Sequence, residues 1–210
     1  MFLEIELKLS IDPADTTLLY RHPLLIKSNP TPVSEKLVSR YFDTSDLHLW
    51  HQGLSLRTRE AEGRTIQTLK TAGKKIGDLH HRHEWDQPIQ GTLPNIHAFA
   101  DKAVSEKIAS VIGNQSLIEL FHTDIKRTAW DLQIENTYIE LVLDEGSVNT
   151  ALRKTPLYEI ELELKQGDEN QLNKIAERLK ETIPLTLETR SKAQRGYMLY
   201  TDNNLSSIDS

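Results

Sequence analysis

Glutamates recur at every second position in two segments of the sequence, which places each set on one face of a strand. Glu4 and Glu6 do so near the start of the chain, and Glu159, Glu161 and Glu163 near its end. Same-face neighbours on a strand lie about 7 Å apart, so these carboxylates repel one another. Water-exposed strand faces usually mix Thr, Lys, Gln and Glu, so three successive glutamates favour a cation-binding face.

Basic side chains recur with the same spacing in other segments, namely Lys8, Arg57, Arg59, Lys70, Arg82 and Arg127. Arginine donates two parallel hydrogen bonds to a phosphate, whereas lysine contributes a compact charge. Clusters of both signs, separated by strand, indicate a site where carboxylates hold a cation and arginines hold an anion. An amphipathic sheet with one water-exposed face is the alternative explanation.

The elements that carry these residues are mainly strands. Patterns of period two predict strands at 3–10, 35–43, 54–60, 64–72, 80–89, 123–133, 137–148 and 157–166. A hairpin turn is predicted at Glu62-Gly63 and a loop at 73–78. Helices are predicted after the caps Asp12, Ser45 and Asp168, over 94–112, and over 191–200.

Short connections suit antiparallel neighbours. The predicted fold is therefore α+β, with an antiparallel sheet that closes on itself. Its apolar faces would point outward beneath the helices, and its charged faces would line a water-filled lumen.

Composition narrows the possible classes of protein. The 210 residues suit one domain, and the lack of cysteine excludes disulfides, thiolate zinc sites and cysteine nucleophiles. Charges in the first ten residues argue against a signal peptide, and no uncharged stretch could span a bilayer, so a cytoplasmic location is expected. The net charge of −6 argues against binding to nucleic acid or to an anionic membrane.

The run Glu4-Ile5-Glu6-Leu7-Lys8 resembles the E-x-E-x-K signature of the CYTH domain, the fold of the triphosphate tunnel metalloenzymes. Further motifs follow in that family's order: Tyr41-Phe42-Asp43-Thr44, Leu56-Arg57-x-Arg59, Leu69-Lys70, Arg82-x-Glu84, Thr123-Asp124 with Arg127, Ile139-Glu140 with Leu143-Asp144, Glu159-x-Glu161-x-Glu163 and Ser191-Lys192. The resemblance covers about residues 1–200, leaves 201–210 as a polar tail, and is greatest to bacterial inorganic triphosphatases.

This resemblance implies an eight-stranded antiparallel β-tunnel with helices packed outside. It also implies dependence on Mg²⁺ or Mn²⁺ and hydrolysis of tripolyphosphate or another triphosphate. Hard cations of this kind prefer oxygen ligands. The expected metal ligands are Glu4, Glu6, Glu159, Glu161 and Glu163, although not all five can coordinate one ion.

The resemblance and the shared strand faces also assign roles to other residues. The expected triphosphate-binding residues are Lys8, Arg57, Arg59, Lys70, Arg82, Arg127, Lys192 and, more weakly, Arg195. The expected catalytic residues are Lys8, Lys70, Glu140, Asp144 and Lys192, with Glu140 and Asp144 orienting the metal or the attacking water.

Several alternatives remain open from the sequence. The substrate could be thiamine triphosphate or a nucleoside triphosphate, the reaction could be that of a class IV adenylate cyclase, or the tunnel could bind polyphosphate without catalysis. In the run His80–His83 only His80 shares the face of Arg82, so the run is interpreted as a water-exposed strand rim rather than a transition-metal site. A P-loop is excluded, because no G-x-x-x-x-G-K-[ST] segment occurs. The expected assembly is a monomer or a homodimer.

Overall fold

The computed structural model describes residues 1–28, 31–61 and 63–206. Within them, ten strands form one antiparallel sheet. The strands are β1 (Phe2–Ile11), β2 (Val33–Asp43), β3 (Leu54–Ala61), β4 (Arg64–Thr71), β5 (Lys74–Ile76), β6 (Leu79–Ile89), β7 (Ile118–Ile134), β8 (Thr137–Asn149), β9 (Lys154–Gln166) and β10 (Leu185–Leu187).

The first strand closes this sheet, because β1 pairs with two long strands at once. Residues 2–6 pair with β6, and residues 6–10 pair with β9. The order around the closed ring is β1, β9, β8, β7, β2, β3, β4 and β6. The eight-stranded antiparallel tunnel expected from the sequence is thus confirmed, and β5 and β10 are short strands added at its edges.

Helices cover the outside of the ring in the described part of the chain. They are α1 (Thr16–Tyr20), α2 (Pro23–Ser28), α3 (His48–His51), α4 (Lys102–Ile112), α5 (Asn170–Lys180) and α6 (Lys192–Ser206). No described helix combines the length and the apolar composition that a bilayer-spanning segment needs.

The alternating pattern of the strands separates the two faces of the sheet. On the outer face, Leu7 and Leu9 of β1 join Ile160 and Leu162 of β9 in one buried cluster with the apolar face of α5. Burial of each such side chain contributes about 1.5–3 kcal/mol relative to exposure. Because the apolar residues point outward beneath helices, the charged residues between them must point into the enclosed lumen.

Two predicted boundaries are wrong for local reasons. The loop predicted at 73–78 contains strand β5, which pairs with β6. The helix predicted over 94–112 is interrupted, since only Ile96–Ala98 forms a 3₁₀ turn before α4. Phe99 takes an extended conformation there and is buried at 2 % exposure, and Asp101 then caps α4 by accepting a hydrogen bond from the amide of Ala103.

Two further expectations need correction. Ser45 does not cap α3; Asp43 accepts hydrogen bonds from the amides of Leu49 and Trp50, each at 2.9 Å. The segment 201–206, expected as part of a polar tail, continues α6 to Ser206. Helix α2 and strand β10 were not expected from the sequence, and Glu62 and 207–210 lie outside the described residues.

Helix α6 packs so closely on the ring that a glycine is needed at the contact. A Cβ atom on Gly196 would lie 2.0 Å from the aromatic ring of Phe121 on β7. Tyr197, beside it, is 1 % exposed and joins the cluster that contains Tyr41 and Phe121. Any larger residue at 196 would push α6 away from the end of the tunnel.

We therefore expect Gly196→Ala to destabilise the protein, although alanine favours helix more than glycine does. Overpacking of this kind costs about 1–3 kcal/mol, whereas the gain in helix propensity is at most about 1 kcal/mol. Chemical denaturation should show a lower free energy of unfolding. Met198→Ala, at an exposed position of the same helix, should change stability by less than about 0.5 kcal/mol. A Gly196→Ala protein as stable as the wild type would contradict the close packing.

Candidate active site

The ring of strands encloses a cavity of about 250 Å³ whose walls are mainly charged. Carboxylates come chiefly from β1, β8 and β9, and most cations come from β3, β4, β6 and β7. Because β3 and β9 lie four positions apart in the ring of eight, Arg57 and Arg59 stand across the lumen from the β9 glutamates. Partly exposed Phe2, Ile66 and Lys165 mark an open rim at the end where β1 begins.

Most of the residues singled out from the sequence meet in this cavity. Those that line it are Glu4, Lys8, Arg57, Arg59, Lys70, Arg82, Arg127, Glu140, Glu161, Glu163 and Lys192. Glu6, Asp144, Glu159 and Arg195 form ion pairs with other residues of this set from behind the wall. The strand residues of this set share the face predicted from their spacing, whereas Lys192 and Arg195 come from helix α6.

The first part of the wall is an ion-pair network around Glu4. Lys70 Nζ lies 3.0 Å from one carboxylate oxygen of Glu4 and 2.5 Å from Glu84. Arg82 contacts Glu4 through Nε and places Nη2 2.6 Å from Glu6. Buried charges are tolerated when each has such a partner, so these contacts fix the side chains of β1, β4 and β6 relative to one another.

The second part of the wall is centred on Glu161 of β9. Lys8 Nζ lies 2.6 Å from Glu161 and 3.0 Å from Glu6, which links the two networks. Arg127 of β7 donates two hydrogen bonds to Asp144, at 2.8 and 2.6 Å, and a third to Glu161 at 2.9 Å. The bidentate geometry holds the guanidinium group flat against the acidic wall.

Three buried carboxylates converge beside this point: Asp144, Glu159 and Glu161 offer oxygen atoms that all lie within 4.8 Å of one another. The ammonium group of Lys192, the first residue of α6, lies among them. Its Nζ is 2.7 Å from Asp144, 2.5 Å from Glu159 and 3.0 Å from Glu161. The cluster thus already surrounds a positive charge.

The pKa shifts in this cluster follow from burial and from its neighbouring charges. Burial alone would raise the pKa of Glu161, but Lys192, Lys8 and Arg127 outweigh it and hold that pKa well below its usual value. Burial raises the pKa of Glu159, even though Lys192 opposes the shift. Burial would lower the pKa of Lys192, yet the three carboxylates raise it. The cluster therefore stabilises a cation at its centre.

The donor set suits a hard divalent cation. All three groups are carboxylates, the ligands that Mg²⁺ and Mn²⁺ prefer. Glu159 and Glu161 were among the expected ligands, and Asp144 was expected to orient the metal or water. The other expected ligands lie elsewhere, because Glu4 and Glu6 contact Arg82, and Glu163 lies 2.9 Å from Lys165 Nζ near the open rim.

The opposite wall carries arginines with few acidic partners. Among the described residues no carboxylate lies within ion-pair distance of Arg59, whose Nε donates a hydrogen bond to Ser39 at 2.9 Å. Burial, Arg57 and Arg127 lower the pKa of Arg59 to about 10. Arg57 approaches Glu84 at 3.6 Å, and its buried Nε has no hydrogen-bond partner in the described structure. This wall favours an anion.

Lys192 is placed by contacts of α6 that the strand pattern does not reveal. The hydroxyl group of Tyr197 donates a hydrogen bond to Asp43 at 2.8 Å, and its ring stacks on Trp50 at 4.3 Å. Asp43 also holds the first turn of α3 through its amide contacts. Asp43, at the end of β2, therefore contacts both α3 and α6, and this packing positions Lys192 beside the carboxylates.

Some residues of the cavity wall were not chosen as site residues from the sequence. Asp86 and Lys165 line the cavity, and each continues a strand face already recognised, after Glu84 and Glu163 respectively. Extending the period-two pattern by one step finds both. Tyr41 of the Tyr41-Phe42-Asp43-Thr44 motif lines the cavity as well as packing on Phe121. Glu140 lies near the rim, 3.3 Å from Lys165.

Known proteins are similar to this chain in sequence or in fold. An inorganic triphosphatase of Haemophilus influenzae is 31 % identical over 95 % of this chain. The match covers 55 % of that protein, so the chain spans about half the length of this curated relative.

Solved structures share the fold at lower identity. A proposed adenylyl cyclase from Hippeastrum, with a dominant triphosphatase activity, is 22 % identical at a TM-score of 0.67, with 93 % of this chain and 95 % of the other covered. A proposed adenylate cyclase from Bacillus halodurans is 23 % identical at a TM-score of 0.63, with 93 % and 98 % covered. The CYTH domain profile matches residues 3–197. The closed tunnel and this match over nearly its whole length show that the chain belongs to the CYTH domain family.

Proposed function

We propose that this chain hydrolyses inorganic triphosphate to pyrophosphate and phosphate inside the tunnel, with Mg²⁺ or Mn²⁺ as cofactor. The observation that carries the proposal is the division of one enclosed cavity between two walls. One wall holds Arg57 and Arg59 with little acidic compensation, and the other holds a carboxylate cluster around a cation. The name of the Haemophilus influenzae relative supports the same reaction.

The basic wall accounts for binding and for stabilisation of the reacting group. Phosphoryl transfer spreads negative charge over the oxygens of the transferred group, so catalysis depends mainly on positioning and on fixed positive charge. Arg57 and Arg59 would bind the phosphate chain. Arg127, fixed by Asp144 and Glu161, would hold that chain against the acidic wall. Lys8 and Arg82 would add charge, oriented by Glu6 and Glu4.

The acidic wall accounts for the cofactor. Asp144, Glu159 and Glu161 would hold the divalent cation, with Lys192 competing for the same oxygens. When bound, such a cation neutralises phosphate charge and lowers the pKa of a coordinated water. Arg195 lies 3.1 Å from Glu159 and 3.9 Å from Glu188, and donates a hydrogen bond to the carbonyl oxygen of Pro156 at 2.9 Å. We therefore assign it to holding Glu159 rather than to substrate.

Lys70 is the candidate general acid of the cavity wall. Burial lowers the pKa of its ammonium group, and the charges of Arg82 and Arg57 lower it further. The Lys70 ammonium group would therefore donate a proton to the leaving pyrophosphate more readily than a surface lysine, and would regain a proton from water afterwards. Glu84, 2.5 Å away, would keep the amine directed into the lumen.

One observation favours a second candidate substrate, a nucleoside or thiamine triphosphate. Phe2 and Ile66 are 45 % and 38 % exposed and face the open rim of the cavity. They offer an apolar surface on which an aromatic ring could rest while its phosphates enter the tunnel. Inorganic triphosphate is preferred, because the remaining wall is almost entirely polar or charged. The expected cytoplasmic location and the expected monomer or homodimer remain predictions.

The proposed reaction is tested by a substrate panel. With Mg²⁺ or Mn²⁺ the protein should release phosphate from tripolyphosphate faster than from thiamine triphosphate or ATP, without forming cyclic AMP. Excess EDTA should abolish release, and added Mg²⁺ should restore it. Phosphate release that persists in EDTA would contradict the metal requirement, and a preference for ATP would favour the apolar rim as a base-binding surface.

Arg59→Met should lower catalytic activity without lowering stability. Loss of one charge-assisted contact to phosphate, worth about 1.5–3 kcal/mol, should lower kcat/KM by about 10- to 150-fold. The Tm should stay equal or rise, because Arg59 has no carboxylate partner among the described residues. Arg127→Met removes the partner of two buried carboxylates and should lower the Tm markedly.

The matched control for Arg59→Met is Arg40→Met on the outer face of β2. Arg40 makes only water-exposed contacts, at 3.4 Å to Glu60 and 3.3 Å to Glu119, so its replacement should leave kinetics unchanged. Unchanged kinetics in Arg59→Met as well would show that the basic wall does not bind substrate.

Lys192→Met should increase metal affinity while it lowers metal-free stability. The change leaves three buried carboxylates without their shared ammonium group, so a divalent cation meets less competition and relieves more repulsion. Thermal melts should show a lower Tm without metal and a larger rise with Mg²⁺, and Mn²⁺ titration followed by EPR should show tighter binding. Lys36→Met, at an exposed surface pair, is the control. Equal Mn²⁺ affinity in wild type and Lys192→Met would place the cation elsewhere.

A further inference from the structure

A second cavity of about 460 Å³ lies at the end of the tunnel opposite the open rim. We call it the annex, and its lining includes Trp50, Lys74, Lys75, His80, Arg82 and Gln194. The annex adjoins the tunnel directly, since Ser55, Arg82, Ser191 and Ala193 line both cavities. A chain-like ligand that fills the tunnel could therefore continue into the annex.

The electrostatic character of the annex differs from that of the tunnel. Cations line it, but none of the described residues that form its wall is Asp or Glu. Lys74 and Lys75 are exposed, and neither has a carboxylate within ion-pair distance among the described residues. In the tunnel, by contrast, most cations are held by buried carboxylates. The annex thus offers positive charge that the protein itself does not neutralise.

The backbone holds these lysines against the tunnel end. Strand β5 pairs with β6, with Lys74 opposite His81 and Lys75 opposite His80. Gly73, which precedes them, has φ +74°, and a Cβ there would lie 2.4 Å from the carbonyl oxygen of His81. Only glycine allows so close a crossing. The β4–β5 connection therefore passes directly over β6, beside Arg82.

We propose that the annex binds additional phosphates of a linear condensed phosphate longer than triphosphate. This proposal rests on the proposed function, because it extends the same anion beyond the tunnel. The flexible ammonium groups of Lys74 and Lys75 suit partly hydrated phosphates, and Arg82 stands at the junction of the two cavities. An aromatic ligand is a poorer fit, since Tyr197 already stacks on one face of Trp50 at 4.3 Å.

The test compares two ligands with two double variants. Isothermal titration in EDTA, which prevents metal-dependent turnover, measures the affinities of tripolyphosphate and of a size-fractionated linear polyphosphate several times longer. Lys74→Gln/Lys75→Gln should lower the affinity for the longer chain by about fivefold to thirtyfold, the size expected for two water-exposed charge contacts. Binding of tripolyphosphate should change by less than about twofold. Added salt should also lower the affinity for the longer chain more for the wild type than for the variant.

A control variant removes two lysine charges from outside the annex lining. Lys102→Gln/Lys107→Gln, at exposed positions of α4, should leave both affinities within about twofold of the wild type. The proposal is overturned if the Lys74/Lys75 variant binds both ligands equally more weakly than the wild type, or binds neither more weakly. It is also overturned if the Lys102/Lys107 control loses as much affinity for the longer chain. Failure of the proposed function is a separate result, in which the wild type with Mg²⁺ releases no phosphate from tripolyphosphate.

Discussion

The need to pair buried charges determines the interior of this protein. An unpaired ion in a water-poor interior costs several kcal/mol, and a partner with good geometry is required to offset that cost. Asp144, Glu159 and Glu161 meet this requirement through cations on other elements, as when Glu161 contacts Lys8, Arg127 and Lys192. The strands β1, β7, β8, β9 and helix α6 are therefore held in register by charge as well as by the backbone ladder. Arg59 has no carboxylate partner among the described residues, and the candidate substrate site lies where the pairing is incomplete.

Much of this arrangement could be predicted, because strand periodicity determines which side chains share a face. The alternation of Glu159, Glu161 and Glu163 with apolar residues predicted both the enclosed lumen and the outer apolar layer. The ordered motifs then predicted the CYTH family, which the profile match confirms. Periodicity does not specify which side chains meet across the lumen. The association of Asp144 with Glu159 and Glu161 depends on the register of β8 against β9, in which Asp144 lies opposite Glu159.

The errors fall where local geometry overrides a pattern. Helical spacing continued through Phe99, but burial of that side chain required an extended backbone and divided the predicted helix. Glycines suggested a loop at 73–78, yet the same glycines allow β5 to cross close to β6. Lys192 entered the expectations through its motif alone, since nothing in the strand pattern indicates that α6 packs at one end of the tunnel.

Closure of the ring by β1 has a consequence for how the protein is made. Strand β1 pairs with β9, which ends at Gln166, so the barrel cannot close until β9 has left the ribosome. Such sequence-distant pairing slows folding, and β1 meanwhile lacks its β9 partner and presents an unpaired edge. The charges on that edge, Glu4, Glu6 and Lys8, disfavour association with other nascent chains. The residues that we assign to the active site thus also protect the protein before an active site exists.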